Sequence, residues 1–254
     1  MKENFALRVA IISDIHEDII NLQKILDRIK KKGYDKLVCL GDISGFSLPF
    51  YKYQETRNAH KCLGLLKETC DVILPGNHDY HAARRIPKNS AIFDFPSNWY
   101  ELDFRKKSEL VNGDIWLHEI DDLDPLYRNE DIKFLNTLPE YHVMETGRGN
   151  ILFSHYVFPN ISGFKKGFYI EEKEFRRHFD FMKEKKCEIS FAGHAHVRGF
   201  YTVTPQIFKH YRYRKLKLKS SPVCIGIPPV TRHKNRSGFC IFDSERFEIQ
   251  AIKI

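Results

Sequence analysis

Three features that mark particular protein classes are missing from this sequence of 254 residues. No apolar run reaches the roughly 18 residues of a membrane-spanning helix, which argues against a membrane protein. The six cysteines form no C-x-x-C pair, so the sequence indicates neither a disulfide framework nor a zinc ribbon. The apolar stretch that follows residues 1–4 is too short for a signal peptide. We therefore expect a cytoplasmic protein without a membrane partner, with its cysteines reduced.

The sequence also has no internal repeat, low-complexity tract or interdomain linker. Its 42% hydrophobic and 29% charged residues are ordinary for a globular protein, and a chain of this length can bury a full core. We expect one domain that spans residues 1–254. Nothing in the sequence indicates an oligomeric state.

Basic residues outnumber acidic ones, and the formal net charge is +8. A positive field raises the encounter rate with phosphate-bearing ligands, so polyanionic partners are weakly favoured. The basic residues are densest at 209–219, where Tyr211 and Tyr213 alternate with arginines. This period of two predicts a solvated strand or hairpin. Interleaved aromatic and basic residues also fit a strip that faces a nucleic acid, and this second interpretation stays open.

Strands and helices alternate in the first third of the chain. Continuous apolar runs predict strands at residues 7–12, 36–40 and 72–74, and apolar residues at helical spacing predict helices between them. Gly33 stands where the first helix should end. Ligands of α/β sheets bind beyond the carboxyl ends of the strands, so the residues that follow each strand are the candidates for a site.

Later in the chain the pattern predicts a hairpin, a helix and further strands. Strands at residues 141–145 and 150–154 flank a turn, and Asn129 is the predicted N-cap of the helix before them. A strand at residues 189–192 follows another amphipathic helix, and short β segments continue from Gly199.

Residues that ligate metals follow five of the predicted strands. They are Asp14 and His16, then Asp42, then Asn77 and His78, then His155, and last His194 and His196. Side chains two residues apart in an extended segment point the same way, so Asp14 and His16 can ligate one ion together. His194 and His196 share this spacing. In the same geometry His78 points away from its neighbour Asn77 and is free to act as an acid.

Two divalent ions that lie close together repel each other and need an anion between them. Asp42 is the candidate for this bridge. Oxygen and imidazole ligands without a thiolate fit Mn, Fe, Zn, Ni or Co. Each motif alone is weak evidence for a metal site, but the ordered set is hard to obtain by chance.

With these motifs the sequence resembles the calcineurin-like metallophosphoesterase superfamily, in particular its small bacterial phosphodiesterase-type members. The resemblance implies an α/β fold: a four-layer α/β/β/α sandwich of two mixed β-sheets, with a dinuclear metal site at the strand carboxyl ends. It implies that one ion is held by Asp14, His16 and His196, that the other is held by Asn77, His155 and His194, and that Asp42 bridges them. It also implies that Asn77 and His78 contact the substrate, and that His78 protonates the leaving oxygen while Asp79 orients it.

The function that the resemblance implies is metal-dependent hydrolysis of a phosphoester, with in-line attack by a hydroxide that bridges two divalent ions. The expected substrate is a small phosphoester, such as a nucleotide, cleaved as a diester or a monoester. A nuclease on longer nucleic acid is a less favoured alternative, because the chain has no added DNA-binding domain. A non-catalytic scaffold is the third alternative, although the proposed donors and the acid are all present.

Several residues outside the motifs are candidates for contact with the substrate. Arg84 and Arg85 are placed to hold a phosphate, or else form an exposed charged turn. His81 and His118 could reach the site, or else face solvent. The irregular segment at residues 80–128 and the strip at 209–219 are the regions that we expect to select the substrate.

Overall fold

The computed structural model describes residues 6–89 and 91–254; residues 1–4, on which part of the signal-peptide argument rests, lie outside them. Strands in this part of the chain form two six-stranded sheets and a two-stranded ribbon. From edge to edge, the first sheet contains Lys215–Lys217 (β11), Glu248–Lys253 (β14), Gly238–Asp243 (β13), Arg8–Ile12 (β1), Lys36–Cys39 (β2) and Val72–Ile73 (β4). β1, β2 and β4 are parallel, and the other three pair antiparallel with their neighbours.

The second sheet is also mixed. From edge to edge it contains Ile207–Tyr211 (β10), Phe200–Thr204 (β9), Val223–Gly226 (β12), Cys187–Ala192 (β8), Gly149–Ser154 (β7) and Tyr141–Thr146 (β6). β12, β8 and β7 are parallel, whereas β10, β9 and β6 pair antiparallel. Phe46–Ser47 (β3) and Asp122–Leu123 (β5) form the antiparallel ribbon.

The described residues contain α-helices at Ile19–Lys32 (α1), Ala59–Thr69 (α2), Asn77–Ala82 (α3), Phe104–Val111 (α4), Asn129–Thr137 (α5) and Arg176–Glu184 (α6). Short 3₁₀ helices lie at Gln54–Thr56, Trp99–Glu101 and Glu172–Phe175. The carboxylate of Asp18 caps α1 by accepting the backbone N–H of Asn21, and the helix ends at Gly33, where φ is 72°. In the part of the chain that the structure describes, no helix is long and apolar enough to cross a membrane.

Alternate residues of the strands face different cores. Ile12 of β1 lies in one core with the apolar faces of α1 and α2, and Ile11 lies in another with Phe191 of the second sheet. On the far side of that sheet, Leu152 shares a core with Met182 of α6. Full burial of such a side chain contributes about 1.5–3 kcal/mol. The layers therefore run helices, sheet, sheet, helix, and the predicted four-layer sandwich is confirmed.

The strands predicted in the first third are confirmed to within a residue, as β1, β2 and β4. The prediction of Asn129 as an N-cap is wrong: Arg128 occupies that position, and Asn129 is the first residue of α5. The carboxylate of Asp131 accepts the backbone N–H of Arg128 at 2.9 Å and satisfies a donor at the start of the helix. The carboxylate of Asp131 thus provides part of the capping that we predicted for Asn129.

The basic strip at residues 209–219 lies at the outer edges of both sheets. It begins in β10, the outermost strand of the second sheet, and continues into β11, the outermost strand of the first. Lys209, Lys215 and Lys217 are exposed, and exposed lysines at a sheet edge block pairing with another edge. The prediction of solvated strands is confirmed.

Residues 80–128 are more ordered than their composition predicts. They include α4, a 3₁₀ helix and β5. Tyr80, Trp99, Val111 and Ile115 form a small core of their own with Phe164. This core fixes the position of the loop that leads from α4 to β5.

Candidate metal centre

Seven side chains with metal-binding atoms meet at the carboxyl ends of strands from both sheets. Each follows a strand directly or begins the next element, and the set is Asp14, His16, Asp42, Asn77, His155, His194 and His196. We call it the donor cluster. Its members from β1, β2, β4 and β7 are buried, whereas the two histidines after β8 are partly exposed. The cluster therefore has a buried floor and an open side.

Asp14, His16 and His196 form one group of donors. The Nε2 atoms of His16 and His196 are 3.0 Å apart, and His196 Nε2 is 3.4 Å from Asp14 Oδ1. His16 Nδ1 donates to the carbonyl oxygen of Gly45 at 2.7 Å, so its Nε2 presents a lone pair. Three donor atoms thus surround a common point.

The second group contains His155, His194 and Asn77. His155 Nδ1 donates to the carbonyl oxygen of Leu40 at 3.0 Å, so Nε2 is the nitrogen that faces this group, 3.2 Å from His194 Nδ1. A Cβ atom added at Gly163 would lie 2.8–2.9 Å from atoms of all three side chains. Gly163, with φ at 83°, therefore closes one side of this group and leaves room for nothing larger.

Asp42 lies between the two groups. Its Oδ2 atom is 3.3 Å from His155 Nε2 and 3.8 Å from His16 Nε2. Its Oδ1 atom accepts the backbone N–H of His78 at 3.1 Å, which fixes the orientation of the carboxylate. Asp42 is thus in contact with donors of both groups.

The donor cluster fits divalent cations. The Oδ1 atom of Asn77 is buried and has no hydrogen-bond partner among the described residues, a costly state that a cation relieves. Imidazole nitrogens that face each other at 3.0 and 3.2 Å need a proton or a cation between them. Oxygen and nitrogen donors without thiolate suit the borderline divalent ions of the first transition row.

The backbone at these donors is strained. Asp14, His16, Asp42, His194 and His196 all have positive φ, between 46° and 65°. This region is rare for residues other than glycine and is found at sites where the structure determines it. The extended geometry that we assumed after β1 and β8 is therefore wrong. Asp14 and His16 converge because the chain turns sharply, and not because alternate side chains share a face.

Charges within the cluster shift the pKa values of its members. Although burial opposes ionisation of Asp14, the imidazole of His196 lowers its pKa to about 2. Burial lowers the pKa of His194 to about 3 and that of His16 to about 4, so both are neutral and able to ligate. Burial also acts on His155, but the carboxylate of Asp42 raises its pKa to about 9. A cation that binds there must displace that proton.

His78 and Asp79 begin α3 beside the cluster but do not form a pair. The ring of His78 packs against Trp116, with centroids 4.4 Å apart, and burial lowers its pKa to about 3. The carboxylate of Asp79 accepts the backbone N–H groups of Ile43, Ser44 and Gly76 instead. The implied role of Asp79 in orienting His78 is therefore wrong, because Asp79 points under the loop that follows β2 and secures it.

A cavity of about 370 Å³ opens onto the donor cluster. Its floor is formed by His16, Asp42, Asn77, His78, His194 and His196. Its walls come from several loops and contain Phe50, Tyr51, Trp116, Asp122, Lys165, Lys166, Phe168, His233 and Arg236. A volume of this size is typical of sites for small molecules.

Arg84 and Arg85 do not line this cavity. Arg84 donates to the carbonyl oxygen of Tyr100 at 2.6 Å, and Arg85 donates to that of Leu138 at 2.7 Å. Arg85 also lies 3.5 Å from the carboxylate of Glu140. Their predicted role in holding a substrate phosphate is wrong, because both follow the end of α3 and turn away from the cluster.

Comparison with protein families gives the deciding observation. A family model described as calcineurin-like phosphoesterase matches residues 7–198, a range that holds the whole donor cluster. The chain belongs to the calcineurin-like phosphoesterase family. The resemblance expected from the motifs is thereby confirmed, and membership of this family implies metal-dependent hydrolysis of phosphoesters.

Individual proteins are also similar to this chain. The uncharacterized protein MJ0912 of Methanocaldococcus jannaschii is 25% identical, over 97% of this chain and 86% of that protein. A metallophosphoesterase from Sphaerobacter thermophilus has a similar structure, with a TM-score of 0.65 and 18% identity over 98% of this chain and 88% of that one. The hypothetical protein PH1004 from Pyrococcus horikoshii OT3 has a TM-score of 0.56 and 15% identity over 97% and 87%. At such identities these structures establish the fold alone.

In this calcineurin-like phosphoesterase, sequence reasoning missed most of the cavity wall. Of the residues between 80 and 128 that the structure describes, only Trp116 and Asp122 contribute to it, and the strip at 209–219 contributes none. The segment Lys165, Lys166, Gly167 and Phe168 lies at the mouth instead. Its two lysines beside a phenylalanine are a sequence pattern that fits phosphate binding, but they do not directly follow a predicted strand.

Proposed function

We propose that this calcineurin-like phosphoesterase is a phosphodiesterase or phosphatase that uses two divalent metal ions to hydrolyse small phosphoesters, nucleotides among them. One observation carries the proposal: the oxygen and nitrogen donors of the cluster converge on the floor of a cavity that also contains His78. A phosphate bound in this cavity would lie next to both the donors and a side chain that can transfer a proton.

Divalent ions, when bound here, would polarise phosphoryl oxygens and activate water. The chain itself supplies three things to the reaction. Asp42 provides negative charge between the two donor groups and so reduces the repulsion of two cations. Asn77 offers a neutral amide oxygen, which completes a donor group without adding charge. The described fold anchors both residues at strand ends, so little rearrangement is needed on binding.

His78 is the proposed general acid. Its imidazole lines the cavity, and Trp116 and the backbone of Gly45 fix the position of the ring. Burial keeps it neutral in the free protein, but a phosphate anion alongside favours the charged form and raises its pKa again. It can then donate a proton to the leaving oxygen.

The cavity wall favours a substrate with both phosphate and aromatic parts. Lys165, Lys166 and Arg236 carry positive charge at the mouth, where a phosphate is attracted. Phe50 and Phe168 are 58% and 51% exposed, and such rings offer a stacking surface for a base. These residues support a nucleotide as the substrate.

A nuclease that acts on longer nucleic acid is supported only by the net charge of +8. The basic strip at residues 209–219 lies on sheet edges and contributes no residue to the cavity. Salt dependence of binding separates the two functions, because contacts to many phosphates give a steep slope and a small ligand a shallow one.

A panel of metals and substrates tests the proposal. Metal-stripped protein is supplied with Mn²⁺, Ni²⁺, Zn²⁺ or Mg²⁺ and assayed on bis-p-nitrophenyl phosphate, p-nitrophenyl phosphate, cyclic nucleotides and single-stranded oligonucleotides. We expect metal-dependent turnover of the aryl esters and of at least one nucleotide. Turnover of oligonucleotides alone would favour the nuclease, and the absence of turnover with every metal would favour a scaffold.

A further inference from the structure

A second group of metal-binding side chains lies outside the donor cluster. His81 is on α3, His118 lies between α4 and β5, and Asp124 directly follows β5. One donor atom from each comes within 4.8 Å of the others. His118 Nε2 is 3.3 Å from Asp124 Oδ1, and the rings of His81 and His118 stack with centroids 4.2 Å apart. Three elements thus bring two imidazoles and a carboxylate to one place.

Two cationic side chains, Arg84 and Lys107, lie close enough to repel a positive charge at His81, but both also have other partners. The guanidinium of Arg84 donates to the carbonyl oxygen of Tyr100 at 2.6 Å. The ammonium of Lys107 lies over the rings of Trp99 and Tyr100, 5.5 and 5.6 Å from their centroids. The imidazole of His81 has no hydrogen bond to any residue that the structure describes. Its ring nitrogens are therefore free to ligate.

We propose that His81, His118 and Asp124 form a third metal site that binds Zn²⁺ or a similar borderline divalent ion. Two imidazoles and one carboxylate are a known ligand set for zinc, and they leave a fourth position for water. Ligands at about 2.1 Å from zinc lie about 3.4 Å from each other, so the group must contract by about an ångström. The lone pair of an imidazole lies in the ring plane, so one of the two rings, which are 9° from parallel, must also rotate to point at the ion. The side chain of Asp124 is 85% exposed, and so is able to move inward.

This site lies behind the wall of the cavity. Trp116 separates it from the catalytic side: its ring centroid is 4.4 Å from that of His78 and 5.9 Å from that of His81. His81 is on α3, and His118 and Asp124 stand at the two ends of the 118–124 segment. An ion bound to all three would hold that segment against the helix. It would thereby fix Trp116 against His78 and Asp122 in the wall of the cavity. We infer a structural role for the ion.

Zinc stoichiometry of the whole chain tests the site without any assay of activity. Metal-stripped protein is titrated with Zn²⁺ by calorimetry, and bound zinc is counted by elemental analysis after gel filtration. We expect His118→Ala to bind one equivalent of zinc fewer than the native protein. Asp124→Asn should lower the affinity for that zinc ion by at least about 10-fold. His210→Ala, which removes an exposed histidine on β10, is the matched control and should bind zinc as the native protein does.

A second variant and a second background complete the test. Asp124 is exposed, so Asp124→Asn tests the site even if His118→Ala unfolds. The same comparison in an Asp42→Ala background separates this site from the donor cluster: the difference of one equivalent should remain although the cluster is broken. Equal zinc content in native protein, His118→Ala and Asp124→Asn would overturn the proposal, whatever the fate of the proposed function.

Discussion

The donor cluster and the mouth of its cavity differ in how the fold holds them. The donor cluster is mostly buried, and backbone groups orient its side chains, as the carbonyl oxygens of Gly45 and Leu40 do for His16 and His155. The mouth, formed by Phe50, Lys165, Lys166 and Phe168, is exposed and lies on loops. This contrast teaches that the chemistry and the choice of substrate are built from separate parts. Changes in the cluster should therefore alter kcat or metal affinity, and changes at the mouth should alter KM.

Outside the donor cluster itself, the largest effect that sharpens this contrast is expected at His78. His78→Ala should lower kcat by about 10²- to 10⁴-fold, the usual contribution of a positioned acid, with metal content unchanged. Steady-state assays on an aryl phosphodiester, together with elemental analysis, measure both quantities. His210→Ala serves as the control. A rate within twofold of the native protein would remove His78 from the mechanism.

A pair of glycines in one loop tests how tightly the cluster is enclosed. Gly163→Ala should weaken metal binding by about 10- to 100-fold, because the added methyl group would displace His155, His194 and Asn77. Gly167→Ala is a matched control: φ is 84° there against 83° at Gly163, and a Cβ meets nothing within 4 Å. Calorimetric titration of both variants with Mn²⁺ isolates the clash from backbone strain. Equal affinities would mean that Gly163 is not part of the enclosure.

A smaller effect is expected at the mouth. Lys166→Ala should raise KM for a nucleotide by about 2- to 5-fold and leave kcat unchanged, since one exposed ion pair contributes about 0.5–1 kcal/mol. Lys217→Ala, an equally exposed change on the edge strand β11, should alter neither constant. A lower kcat with an unchanged KM in Lys166→Ala would contradict the assignment of this residue to substrate binding at the mouth.

A separate effect concerns stability far from both regions. His178 is buried, its Nδ1 accepts the N–H of Phe158 at 3.0 Å, and burial lowers its pKa to about 3. The unfolded chain then binds more protons than the native state between pH 6.5 and 3, so stability rises with pH across that window and falls on acidification. His178→Gln should reduce this slope by up to about 1.4 kcal/mol per pH unit. Urea denaturation of metal-stripped protein at several pH values measures it, and an unchanged slope would contradict the assignment.

The donors were predictable because of where they stand. Buried strands can be recognised as apolar runs, and the residues that follow them lie together at the carboxyl edge of the sheet. Asp14, Asp42 and His155 could therefore be named from the sequence. The local geometry was not predictable. The turn at Asp14 and His16 has positive φ that propensity disfavours, and contacts with the loops after β2 and β12 enforce it.

The rest of the site could not be read from the sequence, because it depends on how loops fold. Asp79 and Arg85 each form hydrogen bonds with segments distant in sequence, and neither partner is marked by a local pattern. Lys166 and Phe168 reach the mouth through a long loop that follows β7. Sequence alone thus predicted the donor cluster better than it predicted the residues at the mouth of the cavity.

Hydrolysis of bis-p-nitrophenyl phosphate by native protein and by Asp42→Ala tests the central claim most directly. Both are stripped of metal, supplied with Mn²⁺ and assayed side by side, with bound metal counted in each. We predict activity in the native protein only when metal is added, and a loss in Asp42→Ala that exceeds the loss in His78→Ala, together with reduced metal content. Full metal content and a full rate in Asp42→Ala would contradict the account.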